Sequence, residues 1–132
     1  MAWTRLWRSH QRMSVESPAR SRLSSQQIRD ARDALLDGRA TALLQPLREV
    51  ICEPTRTQIV RVLSAGPLSV GDLASILDRS KSATSQHLRV LRDGGVVSAR
   101  RRGRVVMYSL TPAPMVTAAV EMLDTAASLA VA

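Results

Sequence analysis

The sequence has no phenylalanine, and its only aromatic residues are Trp3, Trp7 and Tyr108. A core must therefore be built from Leu, Val, Ile, Ala and Met, which suffices for a small helical domain because 45% of the residues are apolar. A length of 132 residues leaves room for one domain. No run approaches the roughly 20 uninterrupted apolar residues of a membrane-spanning helix, so no such helix is expected.

Cysteine and histidine are also scarce, which restricts the chemistry available to the chain. The single cysteine, Cys52, excludes an intramolecular disulfide framework and a metal cage made of cysteines alone. The two histidines, His10 and His87, lie far apart in different segments. No phosphate-binding loop or nucleophile–base pair is present. The sequence therefore predicts that the protein is not an enzyme and holds no cofactor or metal ion.

Basic charge is abundant but confined to two short segments. Lys and Arg number 19 against 11 Asp and Glu, for a net charge of +8, and Lys81 is the one lysine. Residues 1–25 carry +4, residues 100–104 carry another +4, and the remainder of the chain is neutral. A basic excess indicates a polyanion or an anionic membrane surface as partner. The confinement to two segments indicates local binding patches.

Residues 1–24 are rich in Arg and Ser and weakly periodic, which predicts a disordered basic arm before a domain over 25–132. Three interpretations of the arm stay open: a dispensable tail, an arm that touches DNA, or a targeting segment. Met13 also opens a plausible shorter chain, so the true start is undecided between Met1 and Met13.

Apolar residues recur at helical spacing through most of the remaining chain. The predicted helices cover 25–37, 41–52, 54–65, 69–77 and 80–93, and a last helix runs from Pro112 or Pro114 to residue 132. Pro46 either kinks the second helix or places its start near Gln45, and Gly38 is expected to end the first. Ser69 and Asp72 form a capping box, Asp78 suits a left-handed turn, and Ser80 can cap the next helix. Two short helices joined by such a turn are typical of a helix-turn-helix.

After Gly94 and Gly95 the apolar period changes from 3.6 to 2 residues. Residues 96–99 and 105–110 favour strands, and the Arg-Gly turn between them predicts a β-hairpin. The predicted fold is therefore mainly α with a small β-hairpin wing, a winged helix-turn-helix.

The last helix is apolar nearly all round and needs a second surface to cover it. We expect a homodimer formed through the N- and C-terminal helices. An anchor on a membrane surface is disfavoured, because Glu121 and Asp124 are the charges on this helix and they would repel anionic lipid.

Four stretches of the sequence together resemble a known family, although no single stretch would identify it. They are LREVICEPTRTQIVRVL (47–63), LSVGDLASIL (68–77), SKSATSQHLRVLRDGGVV (80–97) and RRGRVVMYSL (101–110). Together they resemble the winged-helix core of the ArsR-type family of small dimeric bacterial transcription regulators. The resemblance implies a cytoplasmic, nucleoid-associated protein that binds double-stranded DNA at a near-palindromic operator. It further implies repression at the protein's own or a neighbouring promoter. The effector is unknown.

The chain departs from that family at its metal sites. Metal-sensing members carry a Cys-x-Cys pair where this chain reads Ser69-Val70-Gly71-Asp72, without a thiol. Others bind zinc through histidines and carboxylates of the C-terminal helix, and residues 112–132 contain no histidine. Two carboxylates make a poor cage even for a hard cation. Metal sensing is therefore not expected.

The candidate DNA-binding residues lie on the recognition helix and the wing: Lys81, Ser82, Thr84, Ser85, Gln86, His87, Arg89, Arg100, Arg101, Arg102 and Arg104. Gln86 suits adenine and Lys81 suits guanine or phosphate. The wing arginines suit phosphates or a narrow minor groove. His87 is alternatively a half-buried packing residue.

Cys52 has two interpretations, a small buried hydrophobe or a thiol that makes the regulator redox-responsive, with Arg48 or Arg56 favouring the thiolate. A further alternative is that the winged helix serves protein interaction or general nucleoid binding.

Overall fold

A computed structural model describes residues 22–132, so most of the predicted basic arm lies outside the described residues. The helices and strands are α1 Ser25–Asp33, α2 Gly38–Leu43, α3 Gln45–Ile51, α4 Pro54–Leu63, β1 Leu68–Ser69, α5 Val70–Leu77, α6 Lys81–Asp93, β2 Val97–Arg102, β3 Val105–Leu110 and α7 Pro114–Val131. The chain divides into one unit that ends at Leu35 and a second that covers Leu36–Ala132.

In the first unit, α1 begins with a capping box in which Ser24 and Gln27 satisfy each other's backbone N–H groups. The helix ends at Asp33, four residues before the predicted end.

In the second unit, Gly38 begins a helix instead of ending one. Asp37 is the N-cap of α2, and its carboxylate accepts a hydrogen bond from the backbone N–H of Ala40 at 2.7 Å. The first N–H groups of a helix have no partner within the helix, and the Asp37 carboxylate satisfies one of them. This cap allows a helix to begin at Gly38, although a glycine more often ends one.

The helix-turn-helix is built from the predicted local signals. The capping box of Ser69 and Asp72 begins α5, and Asp78 ends it in the left-handed conformation at φ 51°. Ser80 caps α6 by accepting from the backbone N–H of Ala83 at 3.1 Å. Of the two alternatives for Pro46, the structure has the helix that begins at Gln45.

The wing belongs to a small antiparallel sheet in the order β1-β3-β2. Gly103, at φ 60°, begins the two-residue turn between β2 and β3, as expected of a glycine at the first turn position of a tight hairpin. The two-residue β1, which the sequence did not predict, pairs Leu68 with Tyr108. It ties the start of α5 to the base of the wing.

A single core holds the second unit together. Helix α4 lies at its centre and packs against α3, α5, α6, α7 and β3. The buried residues are Val50, Ile59, Val60, Leu63, Leu73, Ala74, Thr84, Leu88, Leu91, Val96, Val97, Val116 and Ala119. They are aliphatic apart from one threonine. The predicted winged helix-turn-helix is confirmed.

The last helix, α7, buries one side and leaves the other open. Val116 and Ala119 enter the core, whereas Met122 and Leu129 remain 49% and 69% exposed. An ion pair between Arg61 and Asp124 ties the helix to α4. By length and composition α7 could cross a membrane, which the sequence did not lead us to expect. A single such helix is weak support for a membrane span, and one side of this helix packs against α3 and α4.

Candidate nucleic-acid interface

Helix α6 presents two opposite stripes, each with the i, i+3, i+4, i+7 spacing of one helical face. Thr84, His87, Leu88 and Leu91 form the stripe toward the core. Ser82, Ser85, Gln86 and Arg89 form the exposed stripe, which we call the reading stripe. Its short polar side chains at the start of the helix would allow the backbone to lie close to base edges in a major groove.

The predicted DNA contact by Thr84 is wrong. The residue is 0% exposed, and its Oγ1 donates a hydrogen bond to the carbonyl oxygen of Ser80 at 2.9 Å. The reason is helical phase, because four and seven residues separate it from Leu88 and Leu91, both fully buried.

His87 and Lys81 have particular neighbours. The Nδ1 atom of His87 lies 3.5 Å from Glu53 Oε2, and the side chain is 27% exposed. This contact supports the packing interpretation of His87. Lys81 is exposed, and its Cε lies 3.6 Å from where a Cβ on Gly71 would be placed. Its side chain therefore crosses the start of α5.

The Glu-Pro-Thr-Arg segment is a structural joint between α3 and α4. Arg56 Nε donates to the carbonyl oxygen of Glu49 at 2.6 Å, and Thr57 Oγ1 donates to that of Val50 at 2.8 Å. These bonds satisfy carbonyl groups that the end of α3 leaves without helical partners. The motif that contributes to the family resemblance thus holds the scaffold of the reading helix.

Glu53 is the N-cap of α4 and accepts from the backbone N–H of Arg56 at 2.8 Å. Burial raises the pKa of this carboxyl. Its effect is outweighed by four influences that lower the pKa: the backbone N–H groups of Arg56 and Thr55, the charge of His87 and a hydrogen bond from the Thr55 side chain. The net pKa lies below its usual value of 4.5. A carboxyl with a lowered pKa stabilises the fold above its unfolded-state pKa and loses that contribution as pH falls through its folded-state pKa.

We expect Glu53→Gln to lower the free energy of unfolding at pH 7 by about 1 kcal/mol, because an N-cap carboxylate is lost. The difference from wild type should shrink as pH falls below 4.5, where the wild-type carboxyl also becomes neutral. Denaturant titration at several pH values measures this. The control is Asp78→Asn, at an exposed position where asparagine tolerates the left-handed conformation. If the difference in unfolding free energy between wild type and Glu53→Gln grew toward acid pH, the role of the Glu53 carboxylate as N-cap would be contradicted.

The wing arginines are all exposed, but they do not share one face. Register places Ala99 opposite Tyr108 and Arg101 opposite Val106, on the side of the sheet that packs toward α6. Arg100 and Arg102 alternate with these residues and lie on the opposite side. Arg104 lies in the turn. The arginines thus surround the hairpin tip, which suits insertion between the two walls of a groove.

A cleft between α6 and the wing brings in three polar residues that the sequence reasoning missed, Arg92, Asp93 and Tyr108. Its volume is about 360 Å³, and its lining is Ser85, Leu88, Arg89, Arg92, Asp93 and Tyr108. Arg92 could have been found from its spacing, since it follows Arg89 by three residues on the helix. Tyr108 could not, because its position depends on strand pairing.

Cys52 is exposed and lies at the C-terminal cap of α3, so the expectation of a buried cysteine is wrong. The thiol is accessible, and its redox role stays a prediction. Within the described residues, no three side chains of the His, Cys, Asp or Glu type come together to hold a metal ion.

Comparison with known proteins identifies one family. Residues 53–99 match the model for the bacterial regulatory proteins of the arsR family. The HTH-type transcriptional regulator NmtR of Mycobacterium tuberculosis is 40% identical over 82 residues, which cover 62% of this chain and 68% of that protein.

Two solved structures agree with this match. HlyU from Vibrio cholerae has a TM-score of 0.59 and 32% identity, and the alignment covers 71% of this chain and 97% of HlyU. A homodimeric winged helix-turn-helix DNA-binding domain from Mycobacterium bovis has a TM-score of 0.55 and 25% identity. That alignment covers 74% of this chain and 89% of the other.

Proposed function

Because the chain belongs to the arsR family and is a winged helix-turn-helix regulator of transcription, we propose that its homodimer represses transcription from a near-palindromic DNA operator. The observation that carries the proposal is the reading stripe, which exposes four polar side chains opposite the core face of α6. Relatives in this family are regulators of transcription, so the prediction that the chain is not an enzyme is confirmed.

Each structural part has a defined task in this proposal. The N-terminal half of α6 enters the major groove, where Gln86 pairs with adenine and Lys81 contacts guanine or phosphate. Ser82 and Ser85 complete the base contacts at the same edge. The wing arginines grip phosphates along the adjoining minor groove, and these contacts fix the register of the reading stripe on the duplex.

Dimerisation through α7 accounts for its open apolar face. The exposed residues Met122 and Leu129 need a cover in water, and a second copy offers a self-complementary one. A homodimeric neighbour of the same fold supports this arrangement. Two-fold symmetry then requires two half-sites about one helical turn apart, roughly 34–36 Å between centres.

Repression follows from occupancy, because a dimer bound across a promoter excludes the polymerase. The protein acts in the bacterial cytoplasm, where its family acts on DNA, and we infer that it associates with the nucleoid. Release requires an effector that favours a dimer geometry with weaker DNA binding. The ion pair between Arg61 and Asp124 joins α7 to α4 and offers one route for such a change.

Selection from a library of randomised duplexes tests the proposal, with Gln86→Ala as the informative variant. The wild type should enrich a near-palindromic sequence. The variant should lose about 1–3 kcal/mol of discrimination at one base position in each half-site and keep the others. Arg39→Ala, on the exposed surface of α2, is a control outside the reading stripe and should leave the selected sequence unchanged. Enrichment of no sequence by the wild type would contradict the proposal.

A further inference from the structure

The cleft between α6 and the wing combines charged groups with an apolar floor. Its volume is about 360 Å³, within the range of small-ligand sites. Leu88 forms part of the floor, and Tyr108, the one aromatic residue among residues 22–132, lines the side toward β3. The other lining residues are polar and lie on α6: Ser85, Arg89, Arg92 and Asp93.

Two arginines of the cleft are available for an anion. Arg89 and Arg92 are three residues apart on α6, so their side chains are neighbours on one helix face. Both are exposed, and neither takes part in an ion pair within residues 22–132. Adjacent guanidinium groups can bind the oxygens of one carboxylate through charge-assisted hydrogen bonds. With Asp93 as its one acidic residue, the lining has a net positive charge that matches a monoanion.

The remaining groups indicate an aromatic ring that carries a hydrogen-bond donor. Tyr108 is half-buried and offers an aromatic partner to a ligand ring. The carboxylate of Asp93 and the hydroxyl of Ser85 accept hydrogen bonds, so a ligand hydroxyl group would find an acceptor. The lining therefore fits a hydroxylated aromatic carboxylate better than an inorganic anion.

The cleft shares two residues with the reading stripe. Ser85 and Arg89 line the cleft and belong to the stripe that is exposed opposite the core. A molecule in the cleft would cover two of the four residues that the proposed function places against DNA. The molecule and the duplex would therefore compete for the same surface.

We propose that this cleft is an effector site for a small hydroxylated aromatic carboxylate, which displaces DNA by direct competition. Its carboxylate pairs with Arg89 and Arg92, and its ring packs against Tyr108. The inference rests on the proposed function and adds a direct route of release beside a change in dimer geometry. Arg92 and Tyr108 thereby acquire a role outside the reading stripe.

The first test measures binding of sodium 4-hydroxybenzoate, which has an ionised carboxyl group at neutral pH, to the DNA-free, full-length protein. Two-dimensional NMR of the backbone amides gives the dissociation constant of this probe. The largest shifts should lie at residues 85–93 and at Tyr108.

The second test measures how the same probe changes affinity for the duplex that the wild type selects from a randomised library. Fluorescence anisotropy of a labelled duplex gives the affinity, with sodium chloride at equal ionic strength as the reference because DNA binding depends on salt. At a probe concentration about ten times its own dissociation constant, the Kd for DNA should rise about 100-fold, because both sites of the dimer must be vacated.

Arg92→Gln is the informative variant, because Arg92 is exposed and lies outside the reading stripe. It should weaken probe binding about tenfold, through loss of a charge-assisted hydrogen bond, and reduce the competition accordingly. Tyr108→Leu should also weaken probe binding, with thermal melting to verify folding. The matched control, Arg39→Gln on the exposed surface of α2, removes the same charge and should bind the probe as the wild type does.

Several results would overturn the inference: no binding of the probe, shifts away from the cleft, wild-type probe binding by Arg92→Gln, or DNA affinity that stays at the chloride reference. Equal competition by sodium phosphate at the same ionic strength would also overturn it, because the site would then recognise charge alone. If the wild type selects no duplex, the proposed function fails together with the displacement of DNA. Probe binding by the free protein is still decided by the NMR titration in that case.

Discussion

Charge reversal at Arg101→Glu/Arg102→Glu is expected to weaken binding to the selected duplex by about three orders of magnitude at physiological salt. Each dimer loses four solvent-exposed ion contacts with phosphate, worth up to about 1 kcal/mol apiece, and a tenfold change in affinity corresponds to about 1.4 kcal/mol. The two residues point to opposite faces of the hairpin, so the change affects both sides of the tip. Fluorescence anisotropy across a salt series measures affinity and slope together, and the slope should fall by about 3.6.

The same charge change placed elsewhere shows whether the effect belongs to the wing. Arg39→Glu/Arg48→Glu alters the net charge equally but acts on α2 and α3, so its effect should be much smaller and screened by salt. If the wing variant bound DNA with nearly wild-type affinity, phosphate binding by the wing arginines would be contradicted. The protein-interaction alternative for the winged helix would then be preferred.

Local signals predicted most of the elements that position the interface. Ser80 as cap, the box of Ser69 and Asp72, and the left-handed Asp78 all act within four residues, so the sequence displays them directly. The change of apolar period after Gly94 identified the hairpin for the same reason. Gly38 was misread because Asp37, one residue earlier, provides a cap that can begin a helix as readily as glycine ends one.

Non-local geometry accounts for what the sequence did not reveal. The short strand β1 exists because Leu68 meets Tyr108, forty residues away in the chain. The division of the wing arginines between two faces also depends on strand register, which a run of four arginines and one glycine does not reveal. Thr84 is an intermediate case, because the helical period does place it with Leu88 and Leu91 once α6 is known to be regular.

The joint that supports the reading helix connects family resemblance to mechanism. Glu53 caps α4 and faces His87 on α6, and Arg56 and Thr57 close the end of α3. The segment therefore fixes three helices relative to one another without contributing to the exposed reading stripe. The segment can therefore hold the scaffold in place whatever bases the reading stripe contacts.

Truncation of the core beneath that stripe should have the largest effect on stability. Leu88 is 0% exposed, lies on the core stripe of α6 and forms part of the floor of the cleft beside Tyr108. We expect Leu88→Ala to lower the free energy of unfolding by about 2–5 kcal/mol, because transfer energy is lost and a cavity is left. The free energy of unfolding of a small domain is only about 5–15 kcal/mol in total. Urea titration at fixed protein concentration measures the loss, since dimerisation also contributes.

The control variant, Ile76→Ala, removes the same number of carbon atoms from a side chain that is 56% exposed on α5, and it should cost far less. Leu88→Ala should still bind DNA at low temperature with affinity within a few-fold of wild type, because the reading stripe occupies the opposite side of α6. In that case the core stripe of α6 would determine stability and the reading stripe would determine DNA recognition. Equal destabilisation by the two variants would contradict the assignment of Leu88 to the core stripe. A complete loss of binding by folded Leu88→Ala would show that the two stripes are not independent.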